Sequence, residues 1–275
     1  MYKIVFTDID GTLRNSKREI TDRTKESIKR LVEQGIYVVL CSGRPRCDVE
    51  KISRDCKASR YIISSNGAEI YNYIEKKVEY KNMMKTEAIR KLYDISIKYD
   101  TTFVMNCGNS RISNKPKYKN ETEIVIKNGI MKKAEENYIM QCIILDSDIE
   151  KIKNAKKEIG LVPKTRIINE SRALLDKTFK PNGSIYCDVV DNDTSKGEAV
   201  KFLCNLLNID KSEAIGIGDS YNDVEMLDNV GYSVAMKNSI RGLKSRVKEV
   251  TQNTNDLDGA AEFFESLLIK NKEEQ

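Results

Sequence analysis

The start of this chain alternates short apolar runs with helix-like stretches, and that rhythm most constrains its fold. Ile4-Val5-Phe6, Ile36 to Cys41 and Tyr61 to Ser65 are rich in β-branched and aromatic residues and read as buried strands. Between the first two, Thr21 to Gln34 sets Ile28, Leu31 and Val32 at helical spacing. Thr21 is placed to cap that helix and Gly35 follows its end. Ser42-Gly43-Arg44-Pro45 opens a second helix. Asn66-Gly67, between Ile62-Ile63 and Ile70-Tyr71, reads as a tight hairpin turn. Strands separated by helices in this way predict an α/β fold built on a doubly wound parallel sheet.

The rhythm changes in the middle of the chain. Met84 to Ile185 holds a helix (Thr86 to Lys98), short strands (Thr101 to Cys107 and Ser110 to Ser113) and a polar loop (Asn114 to Asn120). A strand at Tyr138 to Leu145, a helix at Asp148 to Ile159 and β-like runs at Arg166 to Asn169 and Ser184 to Val190 follow. The expectation is an α+β domain over residues 84–185, inserted into a core made of residues 1–83 and 186–275. In the second part of the core, a helix is predicted at Lys196 to Leu207. Strands are predicted at Ala214 to Ile217, Gly231 to Met236 and Glu249 to Thr251, then a helix at Gly259 to Ile269. Lys270 to Gln275 reads as a frayed tail.

Composition narrows the chemistry. The 275 residues contain no histidine. Ser-His-Asp hydrolysis, Cys-His catalysis and zinc sites with His ligands are therefore excluded, and acid–base work falls to carboxylates, Lys, Tyr or Cys. An oxygen-rich inventory favours Mg²⁺ over softer metals. The seven cysteines are scattered without a Cys-x-x-Cys pair, which suits reduced thiols. No apolar run has the length of a membrane span, and the first residues enter a strand directly, without the apolar region of a signal peptide. The expected location is cytoplasmic. Residues 84–185 carry 20 Lys and Arg against 13 Asp and Glu, whereas the rest carries 27 against 29. A basic insert could attract anionic substrates, or it could be an ordinary Lys-rich solvated face.

Four strand-end segments carry groups suited to chemistry. Asp8 and Asp10 follow the first strand, where ligands of open α/β sheets sit. Two carboxylates there suit a hard cation, and one could act as a nucleophile; a strand ending at an Asp-Gly turn is the plainer alternative. Ser42-Gly43 offers a hydroxyl and backbone N–H groups to a phosphate oxygen, or a simple helix cap. Lys196 stands at a helix start, against the macrodipole, as a partner for phosphate and a carboxylate or as a solvated side chain. Gly216-Ile217-Gly218-Asp219-Ser220-Tyr221-Asn222-Asp223 runs from an apolar strand into carboxylates, or into a capped helix. It lacks the third glycine of a dinucleotide fingerprint.

In order and place, these four segments resemble the four motifs of the haloacid dehalogenase-like hydrolases. Ser65-Asn66-Gly67-Ala68, Val234-Ala235-Met236-Lys237-Asn238, Asp258-Gly259-Ala260 and the insert resemble its Cof-like branch, subfamily IIB. Lys237 stands where that branch usually has Gly, and Ser239 where it often has Ala. The resemblance implies a Rossmann-like core with an α+β cap for substrate selection, and a Mg²⁺-dependent phosphatase acting on small phosphate monoesters such as sugar phosphates or phosphorylated cofactors. In that scheme Asp8 is the nucleophile and Asp10 the general acid and base. Ile9, Ser42, Gly43, Lys196 and Asn222 bind phosphate. Asp8, Asp10, Asp219 and Asp223 serve the metal: Asp8, the Asp10 carbonyl and Asp219 directly, Asp223 from behind. The partner implied is a small phosphorylated metabolite, with no nucleic acid and no membrane, and the assembly is a monomer or weak homodimer. A hexose phosphomutase on the same fold and a non-catalytic basic binding protein are the alternatives.

Overall fold

The computed structural model describes residues 1–118, 122–175 and 183–273. The chain divides into two compact units. The first holds Met1–Ser42, Asp48–Tyr80 and Ser195–Gln275; the second holds Gly43–Cys47 and Lys81–Thr194.

The first unit is built on a mainly parallel sheet. Its strands are β1 (Ile4–Thr7), β2 (Tyr37–Cys41), β3 (Tyr61–Ser64), β4 (Glu69–Asn72), β5 (Lys77–Lys81) and, after the second unit, β12 (Ala214–Gly218), β13 (Tyr232–Ala235) and β14 (Glu249–Val250). Among the described residues they line up as β14-β13-β12-β1-β2-β3-β4-β5. The β3–β4 pair is antiparallel, which makes the sheet mainly parallel and not wholly so. β1 lies between β2 and β12, with Thr7 beside both Leu40 and Ile217. Strand order reverses there, so the carboxyl ends of these three strands form the switch-point crevice in which such sheets bind ligands.

Alternation along β1 explains the layers. Val5 faces a core shared with Ile28 and Leu31 of α1 (Asp22–Glu33) and with Phe263, Phe264 and Leu267 of α9 (Gly259–Glu273). Ile4 and Phe6 face the other core, with Ala199, Val200 and Leu203 of α6 (Lys196–Leu207) and Met226 and Leu227 of α7 (Val224–Asp228). Each buried Val, Ile, Leu, Met or Phe among them contributes about 1.5–3 kcal/mol of burial energy. Thr21 caps α1 as expected, its hydroxyl accepting from the Thr24 N–H at 3.2 Å.

The second unit has its own sheet: β6 (Thr102–Cys107), β7 (Ser110–Ser113), β8 (Glu123–Val125), β9 (Gln141–Asp146), β10 (Thr165–Glu170) and β11 (Ile185–Asp191), in the order β10-β11-β9-β6-β7-β8. Its pairs are antiparallel except β7–β8. Phe103, Met105, Cys142, Ile144, Cys187 and Val189 pack on one face with α3 (Thr86–Lys98), α4 (Ile130–Glu136) and α5 (Ile149–Ile159).

Three expectations need correction. The return to the first unit falls at Ser195, not at 186, because β11 pairs with both β9 and β10 of the second sheet. The helix opened by Ser42-Gly43-Arg44-Pro45 is α2 (Arg46–Asp55), whose first residue lies beyond all four. The final helix continues through Glu273, so the expected fraying at Lys270 does not hold for the backbone of 270–273. The loop expected at Asn114 to Asn120 ends outside the described residues, as does the tail at 274–275.

Candidate active site

β1 ends at Thr7, and Asp8 is the next residue. Its N–H donates to the Ile217 carbonyl at 3.0 Å, which fixes it beside the end of β12. Past that end the chain turns at Gly218-Asp219, and Asp219 is held by the Ile240 N–H donating to its carbonyl at 3.1 Å. Donor oxygens of Asp8, Asp219 and Asp223 lie within 4.8 Å of one another. The two glycines beside these carboxylates are required by space. A Cβ on Gly11 (φ +89°) would come within 2.5 Å of the Asp219 Oδ2, and one on Gly218 within 2.6 Å of the Asp223 Cγ.

Lys196 closes the cluster from the start of α6. Its Nζ donates to Asp8 Oδ1 at 2.5 Å and to Asp223 Oδ1 at 2.6 Å, and the side chain is completely buried. This excludes the solvated reading of Lys196. Ser195 just before it caps α6, its Oγ accepting from the Glu198 N–H at 3.1 Å. Asp223 Oδ2 accepts from the N–H groups of Asp219 (2.9 Å) and Ser220 (3.0 Å). Asp223 therefore serves as an anchor: one oxygen holds the Asp219–Ser220 loop, the other the ammonium. Thr12 Oγ1 donates to Asp219 Oδ1 at 3.1 Å.

Three carboxylates share one ammonium, which leaves an excess of negative charge. Burial pushes Asp8 up to about 7, with Asp223 and Asp10 adding to the rise and Lys196 opposing it. Asp219 is raised well above the usual carboxylate range by burial first, then by Asp8 and Asp223. For Lys196, burial alone would lower the value, but Asp223 and Asp8 outweigh it and the net shift is upward. The cluster is short of positive charge, and the donors grouped here are carboxylate oxygens. That donor set fits a hard divalent cation.

Other residues expected here differ in setting. Asp10 lies outside the three-carboxylate cluster; its side chain is half exposed, 3.7 Å from Arg14 Nη1. Ile9 is fully buried, and its carbonyl accepts the N–H groups of Leu13 (3.0 Å) and Arg14 (2.9 Å), which folds the chain back past Gly11. Ser42, just past β2, is buried, and its N–H donates to the Ile63 carbonyl at 3.0 Å. Gly43 belongs to the second unit, and its carbonyl accepts from Asn106 Nδ2 at 3.4 Å. Asn222 Nδ2 donates to Asn66 Oδ1 at 2.8 Å. Gly11, Thr12 and Ser65–Gly67 had no chemical role in the sequence reading. The successive Ser-Asn-Gly was the available signal for Ser65–Gly67, since Asn and Gly tolerate left-handed backbone.

The family described as haloacid dehalogenase-like hydrolase matches residues 5–264. A protein of Buchnera aphidicola subsp. Acyrthosiphon pisum named "Putative phosphatase BU028/BU029" is 30% identical, the match covering 100% of this chain and 99% of that protein. The Bacillus subtilis 5-amino-6-(5-phospho-D-ribitylamino)uracil phosphatase YwtE is 25% identical, over 97% and 98% of the two chains. Among solved structures, a haloacid dehalogenase-like hydrolase from Bacteroides thetaiotaomicron superposes with a TM-score of 0.82 at 28% identity, covering 97% of this chain and 100% of that one. The chain belongs to the haloacid dehalogenase-like hydrolases. Among the described residues no helix is long and apolar enough to cross a membrane.

Proposed function

We propose that the protein is a Mg²⁺-dependent phosphatase that hydrolyses small phosphate monoesters through an aspartyl-phosphate on Asp8. The observation that carries this reading is the buried Lys196 ammonium bridging Asp8 and Asp223 beside Asp219. It orients one oxygen of Asp8 and leaves a carboxylate-rich, cation-seeking face.

The Asp8 and Asp219 carboxylates and the Asp10 carbonyl would hold the cation, and Asp223 would hold Asp219 in place. A divalent cation bound there neutralises charge, so that an anionic carboxylate and an anionic phosphate can meet. Asp8 attacks phosphorus through a carboxylate oxygen, and the ester P–O bond breaks. Asp10, whose side chain is half exposed, gives its proton to the departing oxygen. It then takes a proton from a water molecule, whose oxygen attacks phosphorus and breaks the acyl-phosphate bond. Asp8 is regenerated and inorganic phosphate leaves. Dividing one displacement into two easier ones is the gain of covalent catalysis. Lys196, Ser42, Asn222 and the N–H groups of Ile9 and Gly43 carry charge on the phosphoryl oxygens, the main task in phosphoryl transfer. The second unit acts as the cap that selects the leaving group.

The substrate class rests on chemistry and on likeness. A site built for one phosphoryl group suits sugar phosphates and phosphorylated cofactors, and YwtE bears the name of a phosphatase for a ribityl phosphate. The test is phosphate release from a panel of such esters. Turnover is expected with Mg²⁺, none with EDTA, and recovery when Mg²⁺ is returned. Chelator-resistant turnover, or isomerisation of hexose phosphates without phosphate release, would overturn the proposal.

A further inference from the structure

The turn between β3 and β4 is more elaborate than a hairpin needs. Ser65, Asn66 and Gly67 all have positive φ (48°, 58° and 98°). Two of the three are not glycine, so the backbone carries strain that the surroundings must hold in place. All three are buried. Asn66 bonds to distant segments from this position. Its N–H donates to the Ser42 carbonyl at 2.9 Å, and its Oδ1 accepts from Asn222 Nδ2 at 2.8 Å. Gly67 presses on the start of α6. A Cβ there would stand 2.1 Å from the Ser195 carbonyl oxygen and 2.8 Å from the Lys196 nitrogen.

We propose that Asn66 is a positioning residue for the phosphate site, with the Ser65–Gly67 turn as its frame. The turn ties together the end of β2, the start of α6 and the loop after β12. Each of those segments carries one group assigned to the phosphoryl oxygens: Ser42, Lys196 and Asn222. The Asn66 side chain commits one Asn222 N–H and so fixes the plane of that amide. The inference rests on the phosphatase reading.

The test uses p-nitrophenyl phosphate as substrate and inorganic phosphate as competitive inhibitor, on the full chain with Mg²⁺. Asn66→Gly keeps the left-handed backbone and removes the Oδ1 acceptor. It is expected to lower kcat/KM about tenfold, the scale of one buried hydrogen bond, and to weaken phosphate inhibition in step. Asn222→Ala, which removes the phosphate contact as well as the bond to Asn66, is expected to lose more. The double variant is expected to lose no more than Asn222→Ala alone, because without Asn222 the Asn66 side chain has no amide to position. Losses that multiply, or Asn66→Gly at wild-type kcat/KM, would overturn the proposal. If thermal melts show Asn66→Gly unfolded, Asn66→Ala takes its place in the cycle; if neither folds, Asn66 is a folding determinant and the proposal fails. Asp8→Asn distinguishes the two levels. Full activity in Asp8→Asn would sink the phosphatase mechanism, whereas an inactive Asp8→Asn beside an unimpaired Asn66→Gly would sink only the positioning role.

Discussion

The buried cluster of the first unit and the exposed lysine pairs of the second treat charge in opposite ways. In the first, Lys196, Asp8 and Asp223 are buried together at the ends of parallel strands, and the ammonium has no solvent exposure. In the second, which is richer in Lys and Arg, four lysines pair in water: Lys98 with Glu158, Lys133 with Glu136, and Lys115 and Lys151 with Asp100. The excess of Lys and Arg in residues 84–185 could attract anions or be an ordinary solvated face, and these four lysines sit beside carboxylates at 2.6–3.3 Å. Exposed pairs of this kind contribute little and are screened by salt. Position on the sheet decides what a charge does here, and charge count does not.

Three changes would break or sharpen that contrast. The largest effect is expected from Lys196→Met, which leaves the buried carboxylates without their counter-charge. Losing one partner of a buried pair costs about 3–5 kcal/mol, so urea melts should show a marked loss of stability. Hydrolysis should fall by about a hundredfold or more, the scale of one lost electrostatic donor. A stable, active variant would mean the ammonium is ornamental.

A middle-sized effect is expected from pH. Asp8 moves from 3.8 to about 7 on folding, and Asp219 moves in the same direction. The native state therefore holds protons that the unfolded chain has released. Without a cation, stability is greatest on the acid side and falls as pH rises from near 4 through about 7. A cation must displace those protons, so its affinity should climb over the same range. Melts with and without Mg²⁺ should differ little at pH 5 and clearly at pH 7.5, by about 2.7 kcal/mol when Mg²⁺ stands at one hundred times its Kd. A Mg²⁺ effect that is equal at both pH values would contradict the cluster's raised carboxylates. The smallest effect is expected from Lys133→Ala in the second unit, whose melt and rate should match the parent; a large loss there would erase the contrast.

Much of the core was legible because its signals are local. Ile4 to Phe6, Ile36 to Cys41 and Ala214 to Ile217 read as strands from their own composition, and the residues following them, Asp8, Ser42 and Asp219, could then be placed at one end of one sheet. Whether Lys196 was buried could not be read, because its partners are distant in sequence and a lysine at a helix start looks the same in water. The place where the second unit ends was misjudged for a similar reason. Ser184 to Val190 has the composition of a strand of either sheet, and only its pairing with β9 and β10 assigns it. The bond between Asn66 and Asn222 was hidden for a third reason. Asn-Gly is a strong hairpin signal, and that local reading masks a side chain bonded 156 positions away.

The most direct measurement is to quench turnover in acid, reduce any acyl-phosphate with borohydride, and locate the modified residue by peptide mass spectrometry. Modification at Asp8, absent from Asp8→Asn, is the expected result. Steady phosphate release with Asp8 never modified, and undiminished in Asp8→Asn, would contradict the nucleophile and the mechanism built on it.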